Sequence, residues 1–245
     1  ASVFFDDDGR CYVVSTGEIT NPEGKQERGI WAQEFDIEHF CTVGKRHDIW
    51  NCALCGAASP EAPHLYRRDG WYYLLIAEGG TEHFHAVTVA RARNVFDWYE
   101  GNPANPVMTH RHFGYTAPIA NVGHADMVEL PDGSWWAVML GSRTNSGQYK
   151  NIGRETFICP VRWERDWPVF SPESGKIDWS YPAPASLPWT PYPKRPARDD
   201  FDGDKLDMQW VFWGRPYQEF WRLSNGSLKL RCLPRAVDRP LKPMS

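Results

Sequence analysis

The sequence predicts an all-β chain: part of a β-propeller, with about three blades, followed by the start of a second β-domain. Three Asp-Gly dipeptides, each between a short apolar run and an aromatic run, indicate hairpins, because Asp-Gly tolerates the positive φ of a tight turn. The three glycines stand at positions 9, 70 and 133, so the hairpin recurs after 61 and 63 residues. Helical periodicity is almost absent, and residues 31–39, the best candidate for a helix, read equally well as a strand. A repeated hairpin at long spacing is typical of propeller blades; an ordinary β-sandwich is the alternative.

The hairpins join residues 3–5 to 12–14, 65–66 to 71–76, and 127–128 to 135–139. When the three units are aligned on the alanine before each first strand, Glu61 precedes it in the second unit and His124 in the third. Equivalent positions on successive blades converge on the propeller axis, so the repeat predicts one polar site that contains both side chains. The equivalent position of the first unit precedes Ala1, and we expect a functional side chain there that this chain does not include.

The later part of the chain changes character. We assign residues 1–170 to the partial propeller and residues 171–198 to an extended connector, because eight prolines fall between positions 168 and 196. Proline fixes φ and removes a backbone donor, which favours an extended segment that runs over a surface. A β pattern resumes over residues 199–245. Two or three strands of this length cannot bury a core of their own, so this part predicts the truncated start of a second domain.

The composition excludes some classes of partner. A formal net charge of −4 and a pI near 6.1 argue against nucleic acid or an anionic membrane surface as the main partner. No apolar run approaches the roughly 18–20 residues that span a bilayer. The 13 Trp, 10 Tyr and 12 Phe favour aromatic β-sheet cores or stacking on sugar rings. The six cysteines, of which Cys52 and Cys55 form the one close pair, indicate no zinc site and leave the compartment open.

Three residues are candidates for chemistry. Glu61 lies between prolines that restrict its backbone, and at a partly dry channel mouth its pKa would rise, as a general acid requires. The alternative is a solvated surface glutamate. His124 could orient a carboxylate or bind a metal, or it could be a hydrogen-bonded core histidine. Arg154 could donate to sugar hydroxyls or a carboxylate, or form a structural salt bridge with its neighbour Glu155.

Several motifs together resemble glycoside hydrolase family 43, in the branch of β-xylosidases with some α-L-arabinofuranosidase activity. They follow the order of the family: residues 61–66 (EAPHLY), 77–81 (AEGGT), 105–109 (NPVMT), 123–126 (GHAD), 153–157 (GRETF) and 167–169 (WPV). Residues 199–230 resemble the opening of the family's C-terminal concanavalin-like β-sandwich. The resemblance implies a five-bladed propeller that hydrolyses β-1,4-xylo-oligosaccharides or arabinofuranosyl side chains in hemicellulose breakdown, with inversion of configuration.

The resemblance also implies roles for individual residues. An inverting site of this family uses a catalytic base, an Asp that tunes the pKa of the acid, and a Glu acid; acid and base stand roughly 6.5–9.5 Å apart. Glu61 matches the acid, and Arg154 matches the arginine that binds sugar hydroxyls. His124 matches the central histidine beside the base, which in some relatives also approaches a calcium ion. Thr81 matches a residue that lines the sugar pocket. No other cofactor is implied.

The sequence departs from the family pattern at its start. The tuning Asp would stand immediately before Ala1, and the base would lie about two blades earlier, so we expect both to be missing and the chain to be inactive alone. Asp6, Asp7 and Asp8 match turn residues and do not fill these roles. The alternative function is that of a non-catalytic carbohydrate-binding β-propeller protein. The sequence does not separate xylose from arabinose, and it leaves the oligomeric state unknown.

Overall fold

The computed structural model describes residues 1–54, 58–145, 147, 149–212 and 219–232, so that Cys55 and the final residues of the predicted second domain lie outside the described part. The described residues form β-strands and one short 3-10 turn, Arg111–Phe113, which confirms the all-β prediction. The strands are β1 (Ser2–Phe5), β2 (Cys11–Thr20), β3 (Gln26–Asp36), β4 (Cys41–Trp50), β5 (Glu61–Arg68), β6 (Trp71–Glu78), β7 (Ala86–Ala92), β8 (Glu100–Gly101), β9 (Ile119–Glu129), β10 (Trp135–Arg143), β11 (Glu155–Glu164), β12 (Trp167–Phe170), β13 (Trp221–Leu223) and β14 (Leu228–Leu230).

Twelve of these strands form three four-stranded antiparallel sheets, in the orders β1-β2-β3-β4, β5-β6-β7-β8 and β12-β11-β10-β9. The predicted hairpins open each sheet. Gly9, Gly70 and Gly133 have φ values of 84°, 73° and 79°, the left-handed conformation that glycine adopts without a Cβ clash. Residues 31–36 belong to β3 and pair with β2 and β4, which decides the ambiguous stretch in favour of a strand. Four strands in chain order per sheet is the organisation of a propeller blade.

The middle sheet, β5–β8, is packed on both faces. Leu74 and Ile76 belong to one hydrophobic core together with side chains of β2, β3 and β4. Tyr73 and Leu75, the alternate residues of β6, belong to a second core together with side chains of β9, β10 and β11. Because successive strand residues point to opposite faces, the continuous apolar sequence of β6 fills both cores. Complete burial of side chains of this size stabilises the fold by about 1.5–3 kcal/mol each.

The first and third sheets each have one uncovered face, which we call the outer faces. Val3 and Phe5 of β1 are 48% and 64% exposed, whereas Phe4 between them packs against the first core. Val138 of β10 and Ile158 of β11, a cross-strand pair, are 43% and 48% exposed. These strands therefore place apolar side chains on both faces of their sheets, although the described residues cover one face alone.

The chain divides into two compact units, Ala1–Pro188 and Trp189–Ser245. The first part of the predicted connector packs into the first unit, since Ile177 is buried and its N–H donates to His110 Nε2 at 2.9 Å. In the second unit β13 and β14 form a hairpin whose turn contains Gly226, with a φ of 63°. The described part of the chain has no helix whose length and apolarity would suffice to cross a bilayer.

Candidate active site

Glu61 begins β5 at a β-bulge. It pairs with Ala77, but the next pair is His64 with Leu75, so β5 has one residue more than β6 over this interval. Ala62 adopts a φ of 50°, which is unusual for a residue with a Cβ. A bulge bends its strand and changes the direction of a side chain, and it is a common device next to active sites. The bulge therefore sets the direction of the Glu61 carboxylate.

The backbone on both sides of Glu61 is held by the first sheet. Thr16 Oγ1 of β2 donates to the carbonyl oxygen of Pro60 at 2.7 Å, and Ser2 Oγ of β1 donates to that of Pro63 at 2.5 Å. The two bonds hold the backbone carbonyls on either side of Glu61. Sequence reasoning did not find Thr16, because a lone threonine on a strand carries no signal of the carbonyl that it binds.

His124 lies opposite Glu61, also at a bulge. In the β9–β10 pairing, Ala125 pairs with Met139 and Gly123 with Leu140, which makes His124 the extra residue, with a φ of 54°. Its Nδ1 is 4.0 Å from Glu61 Oε1, and the two side chains are 44% and 42% exposed. The structure thus brings together the two residues that the internal repeat aligned. A half-exposed carboxyl group beside an imidazole is accessible to a ligand and can transfer a proton to that ligand.

A buried histidine, His85, lies next to the pair of Glu61 and His124. His85 Nδ1 is 2.9 Å from the carbonyl oxygen of Asn121, and because a carbonyl only accepts, Nδ1 carries the proton. The ring lies 6.5 Å from that of His124, centroid to centroid. Burial lowers the pKa of His85, and the hydrogen bond to Asn121 opposes this; His124 and Arg154 lower the pKa further, and Glu61 raises it. The same imidazole is therefore within electrostatic reach of all three candidate residues. Sequence reasoning missed His85, whose neighbours come from other strands.

A tyrosine joins the strands that carry the pair. Tyr66 of β5 donates its hydroxyl hydrogen to Asp126 Oδ1 at 2.5 Å and accepts from the N–H of Met127 at 2.8 Å. Burial raises the pKa of Tyr66, and the negative charge of Asp126 raises it further, so the phenol stays a donor at neutral pH. This bond links β5 to β9 and stabilises the separation of Glu61 and His124.

Arg154 is exposed in the loop before β11, without an ion pair among the described residues. The alternative of a salt bridge with Glu155 is wrong. Glu155 instead accepts two hydrogen bonds from Arg143, at 2.7 Å from Nε and 2.6 Å from Nη2, because cross-strand neighbours on β10 and β11 meet more directly than neighbours in sequence. The guanidinium of Arg154 is thus available to bind sugar hydroxyls.

Thr81 is exposed in the loop that joins β6 to β7. The loop is tightly closed, since a Cβ at Gly79 would lie 2.1 Å from the carbonyl oxygen of Phe84. Glu82, the next residue after Thr81, receives a hydrogen bond from Asn121 Nδ2 at 3.3 Å. Within the described residues Thr81 makes no hydrogen bond to Glu61, so the structure places it near the site's supporting strands without joining it to the acid.

Asp6 and Asp8, which follow β1, have structural roles. The side chain of Asp6 is fully buried and accepts hydrogen bonds from Arg67 Nη1 at 2.6 Å and from the Tyr72 hydroxyl at 2.5 Å. Burial together with this bond raises the pKa of Tyr72 to about 12. Asp8 Oδ2 binds Arg10 within the turn. Asp6 is engaged and inaccessible, so it is unsuited to activate a water molecule.

The calcium ion that the resemblance associates with His124 stays a prediction. Calcium takes six to eight oxygen ligands, largely from carboxylates and carbonyls. Over the ranges that the structure describes, no three or more His, Cys, Asp or Glu side chains group closely enough to hold a metal ion.

Comparison with known proteins identifies the family of the chain. The family model described as glycosyl hydrolases family 43 matches residues 1–168, and that of the beta xylosidase C-terminal concanavalin A-like domain matches residues 198–243. A xylosidase/arabinosidase of Butyrivibrio fibrisolvens is 42% identical, over 99% of this chain and 47% of its own length. A non-reducing end alpha-L-arabinofuranosidase of Bacteroides ovatus is 41% identical, over 72% of this chain and 33% of its own.

A solved structure shows the same arrangement of strands. The crystal structure of a xylan beta-1,4-xylosidase from Bacillus halodurans C-125 superposes with a TM-score of 0.82 at 34% identity, over 94% of this chain and 44% of that one. The chain thus spans less than half the length of these relatives. The repeat of bulged β-hairpins, the motifs around Glu61 and His124, and both family matches lead to one assignment: the chain belongs to glycosyl hydrolases family 43.

Proposed function

We propose that this chain carries the acid half of a hemicellulose-degrading glycosidase site, specific for xylosyl or arabinofuranosyl residues at the end of an oligosaccharide. The observation that carries the proposal is the pair of facing bulges, which holds the Glu61 carboxyl 4.0 Å from His124 at an accessible surface. The names of the relatives, xylosidase and arabinofuranosidase, supply the substrate class.

In the proposed reaction Glu61 in its protonated form donates to the departing glycosidic oxygen. Protonation of a leaving group by a positioned acid contributes typically 10²–10⁴-fold to the rate. Arg154 binds hydroxyl groups of the terminal sugar with its planar guanidinium, and His124 orients the acid and the sugar between them. Thr81 lines the sugar pocket. Water attacks the anomeric carbon from the opposite face, which inverts its configuration.

The base that activates this water is not supplied by Asp6 or Asp8. Asp6 is buried against Arg67 and Tyr72, and Asp8 is paired within its turn. Without the base, the attacking water of an inverting reaction is not activated, because no group accepts its proton. We therefore expect the 245-residue chain to hydrolyse little or no substrate alone and to act when the preceding segment of a relative is present.

The test compares two proteins with 4-nitrophenyl β-D-xylopyranoside and 4-nitrophenyl α-L-arabinofuranoside. One is the 245-residue chain, and the other is the same chain preceded by the N-terminal segment of the Butyrivibrio fibrisolvens relative. We expect turnover from the longer protein only, and Glu61→Gln should lower its kcat by about 100-fold or more. The matched control is Glu82→Gln, an exposed glutamate of the site's rim. Equal turnover by the short chain, or no effect of Glu61→Gln, would reject the proposal.

Binding without catalysis is the competing function, and the unpaired guanidinium of Arg154 would serve it equally well. It requires saturable binding of xylo-oligosaccharides that Glu61→Gln leaves unchanged and Arg154→Ala weakens. Isothermal titration of both variants with xylotriose, together with the absence of hydrolysis by the longer protein, would favour this function over the first.

A further inference from the structure

A second glutamate lies close to Glu61 in the fold and has no part in the reaction described above. Glu78 ends β6 and is completely buried, with no exposed surface. Its neighbour Ala77 is the cross-strand partner of Glu61. An ionised carboxylate without water is costly unless several donors satisfy it. The donors that Glu78 has recruited therefore indicate what it does.

Both carboxylate oxygens of Glu78 are used. Oε1 accepts from the backbone N–H of Ala53 at 2.7 Å and from Thr88 Oγ1 at 2.6 Å. Oε2 accepts from the backbone N–H of Leu54 at 3.0 Å. Two of the three donors thus belong to the connection that leaves β4 and leads into β5. Hydrogen bonds to a charged acceptor are stronger than neutral ones, and two on adjacent amides fix the orientation of the backbone.

The residue after Glu78 holds the other end of the same connection. The N–H of Gly79 donates to the carbonyl oxygen of Ala58 at 2.8 Å, three residues before Glu61. Gly79 has a φ of 83°, and a Cβ there would collide with the Phe84 carbonyl, so the position tolerates glycine alone. Glu78 and Gly79 together restrain the backbone at both ends of the segment that delivers the acid.

We propose that Glu78 is a positioning residue for Glu61. It anchors the start of the connection, Gly79 anchors its end, and Thr16 then fixes the carbonyl of Pro60 immediately before the acid. Removing the anchor releases the backbone that directs Glu61 toward His124. The catalytic importance of this role rests on the proposed function, in which Glu61 is the acid. The positional role itself is measurable on the Glu61 carboxyl group without any turnover.

The experiment follows Glu61 by NMR in the 245-residue chain labelled with 13C at the glutamate Cδ, with its resonance assigned from Glu61→Gln. The variant Glu78→Gln keeps the size of the side chain but replaces one acceptor oxygen by a donor that faces N–H groups. We expect it to shift the titration midpoint of Glu61 by about half a pH unit or more. Amide exchange at Ala53 and Leu54 should become about tenfold faster or more.

Thr88→Val is the matched control. It removes the third donor to Glu78, in the same buried environment, but leaves both bonds to the connection intact. We expect it to lower Tm while the Glu61 midpoint and the exchange at Ala53 and Leu54 stay as in the parent chain. A merely structural Glu78 would make amide exchange at Ala53 and Leu54 alike in the two variants, and that result would overturn the proposal. Because Glu78→Gln also removes a charge, the Glu61 midpoint is judged in the charge-conserving variant Glu78→Asp.

Glu78→Asp covers the case in which the glutamine variant does not fold. It keeps the charge but shortens the side chain by one methylene, so the same two signals should change in the same direction by a smaller amount. An unchanged Glu61 midpoint in a folded Glu78→Asp chain would also overturn the proposal. Failure of the catalytic assignment is a separate result: Glu61→Gln would leave kcat of the longer protein unchanged, whatever the NMR titration shows.

Discussion

Gly123 lies directly against the imidazole of His85. A Cβ at this glycine would stand 2.5 Å from His85 Cγ, closer than real Cβ contacts allow. The ring cannot retreat, because its Nδ1–H is bonded to the carbonyl oxygen of Asn121. Glycine is therefore required here to bring β9 close to the loop before β7, and His124 follows it directly in sequence.

We predict that Gly123→Ala destabilises the chain by about 1–3 kcal/mol, the usual cost of overpacking a filled site. It should also displace the His85 and His124 rings, which 15N-histidine NMR would detect as shifted resonances. Gly101→Ala is the control, because a Cβ there meets its nearest atom at an ordinary 3.5 Å. Urea unfolding measures the free energies, and equal losses for both variants would contradict the packing argument.

The sequence predicted the pair Glu61 and His124 but none of the residues that support it. The repeat aligned these two positions, because equivalent strands of successive sheets start at the same end. His85, Glu78 and Thr16 support the site through bonds to backbone groups that are distant in sequence, and a backbone partner leaves no trace in a side-chain pattern. The bulges were also not predictable, since one additional residue in a strand becomes visible only from the pairing register.

Between elements, the first and second sheets are joined by Asp6. Its buried carboxylate, at the end of β1, binds Arg67 of β5 and Tyr72 of β6. An asparagine side chain has the same shape, but its NH2 group would face either the Arg67 or the Tyr72 donor, and that hydrogen bond would be lost. We predict that Asp6→Asn lowers the free energy of unfolding by about 1–3 kcal/mol, the cost of an unsatisfied buried group. Asp8→Asn, which removes an exposed pair within the turn, should cost clearly less in the same urea titration.

His110 connects the third sheet to the segment that follows β12. Its Nδ1–H donates to the carbonyl oxygen of Ile119 at 2.7 Å, and its Nε2 accepts from the N–H of Ile177 at 2.9 Å. Both nitrogens are thus engaged only when the ring is neutral. Burial lowers the pKa of His110, and the bond to Ile119 opposes this only in part.

A folded-state pKa below the usual 6.5 makes stability depend on pH. The contribution of neutral His110 is complete above about pH 6.5 and is lost as the pH falls through the lowered folded-state pKa, because the unfolded chain binds the proton first. We predict a Tm that decreases from pH 7.5 to pH 5. His110→Gln should show a lower Tm at pH 7.5 and a shallower decrease, whereas His112→Gln, at an exposed neighbour, should retain the parent slope. A parent-like slope in His110→Gln would contradict the assignment.

The elements themselves were partly predictable. The Asp-Gly hairpins gave the first two strands of each sheet, because turn chemistry and apolar runs are local signals. The fourth strands of the first two sheets were not predicted. β4 is exposed over most of its length and carries no apolar alternation, and β8 has two residues. Residues 31–36 form a strand because β2 and β4 pair with them, a long-range effect that the local sequence does not express.

For the whole molecule, the outer faces of the first and third sheets decide its behaviour in solution. Exposed apolar side chains stand side by side on both faces, and contiguous apolar patches of this kind drive association. We predict that the 245-residue chain self-associates as its concentration rises, with the association weakened in the double variant Val138→Thr, Ile158→Thr. Sedimentation velocity measures this, with Phe113→Ser as a control outside these faces. A parent chain that stays monomeric at all concentrations would refute the prediction.

The doubly buried middle sheet has a consequence for how substitutions combine. Leu74 and Leu75 are consecutive in β6 yet belong to different hydrophobic cores. A single layer, the middle sheet, therefore lies between the two cores and contributes side chains to both. A cavity on one side lets the strand shift, and close-packed side chains on the other side must follow. Energetic effects on the two sides are therefore not additive, because the first and third sheets are coupled through the middle sheet that both cores share.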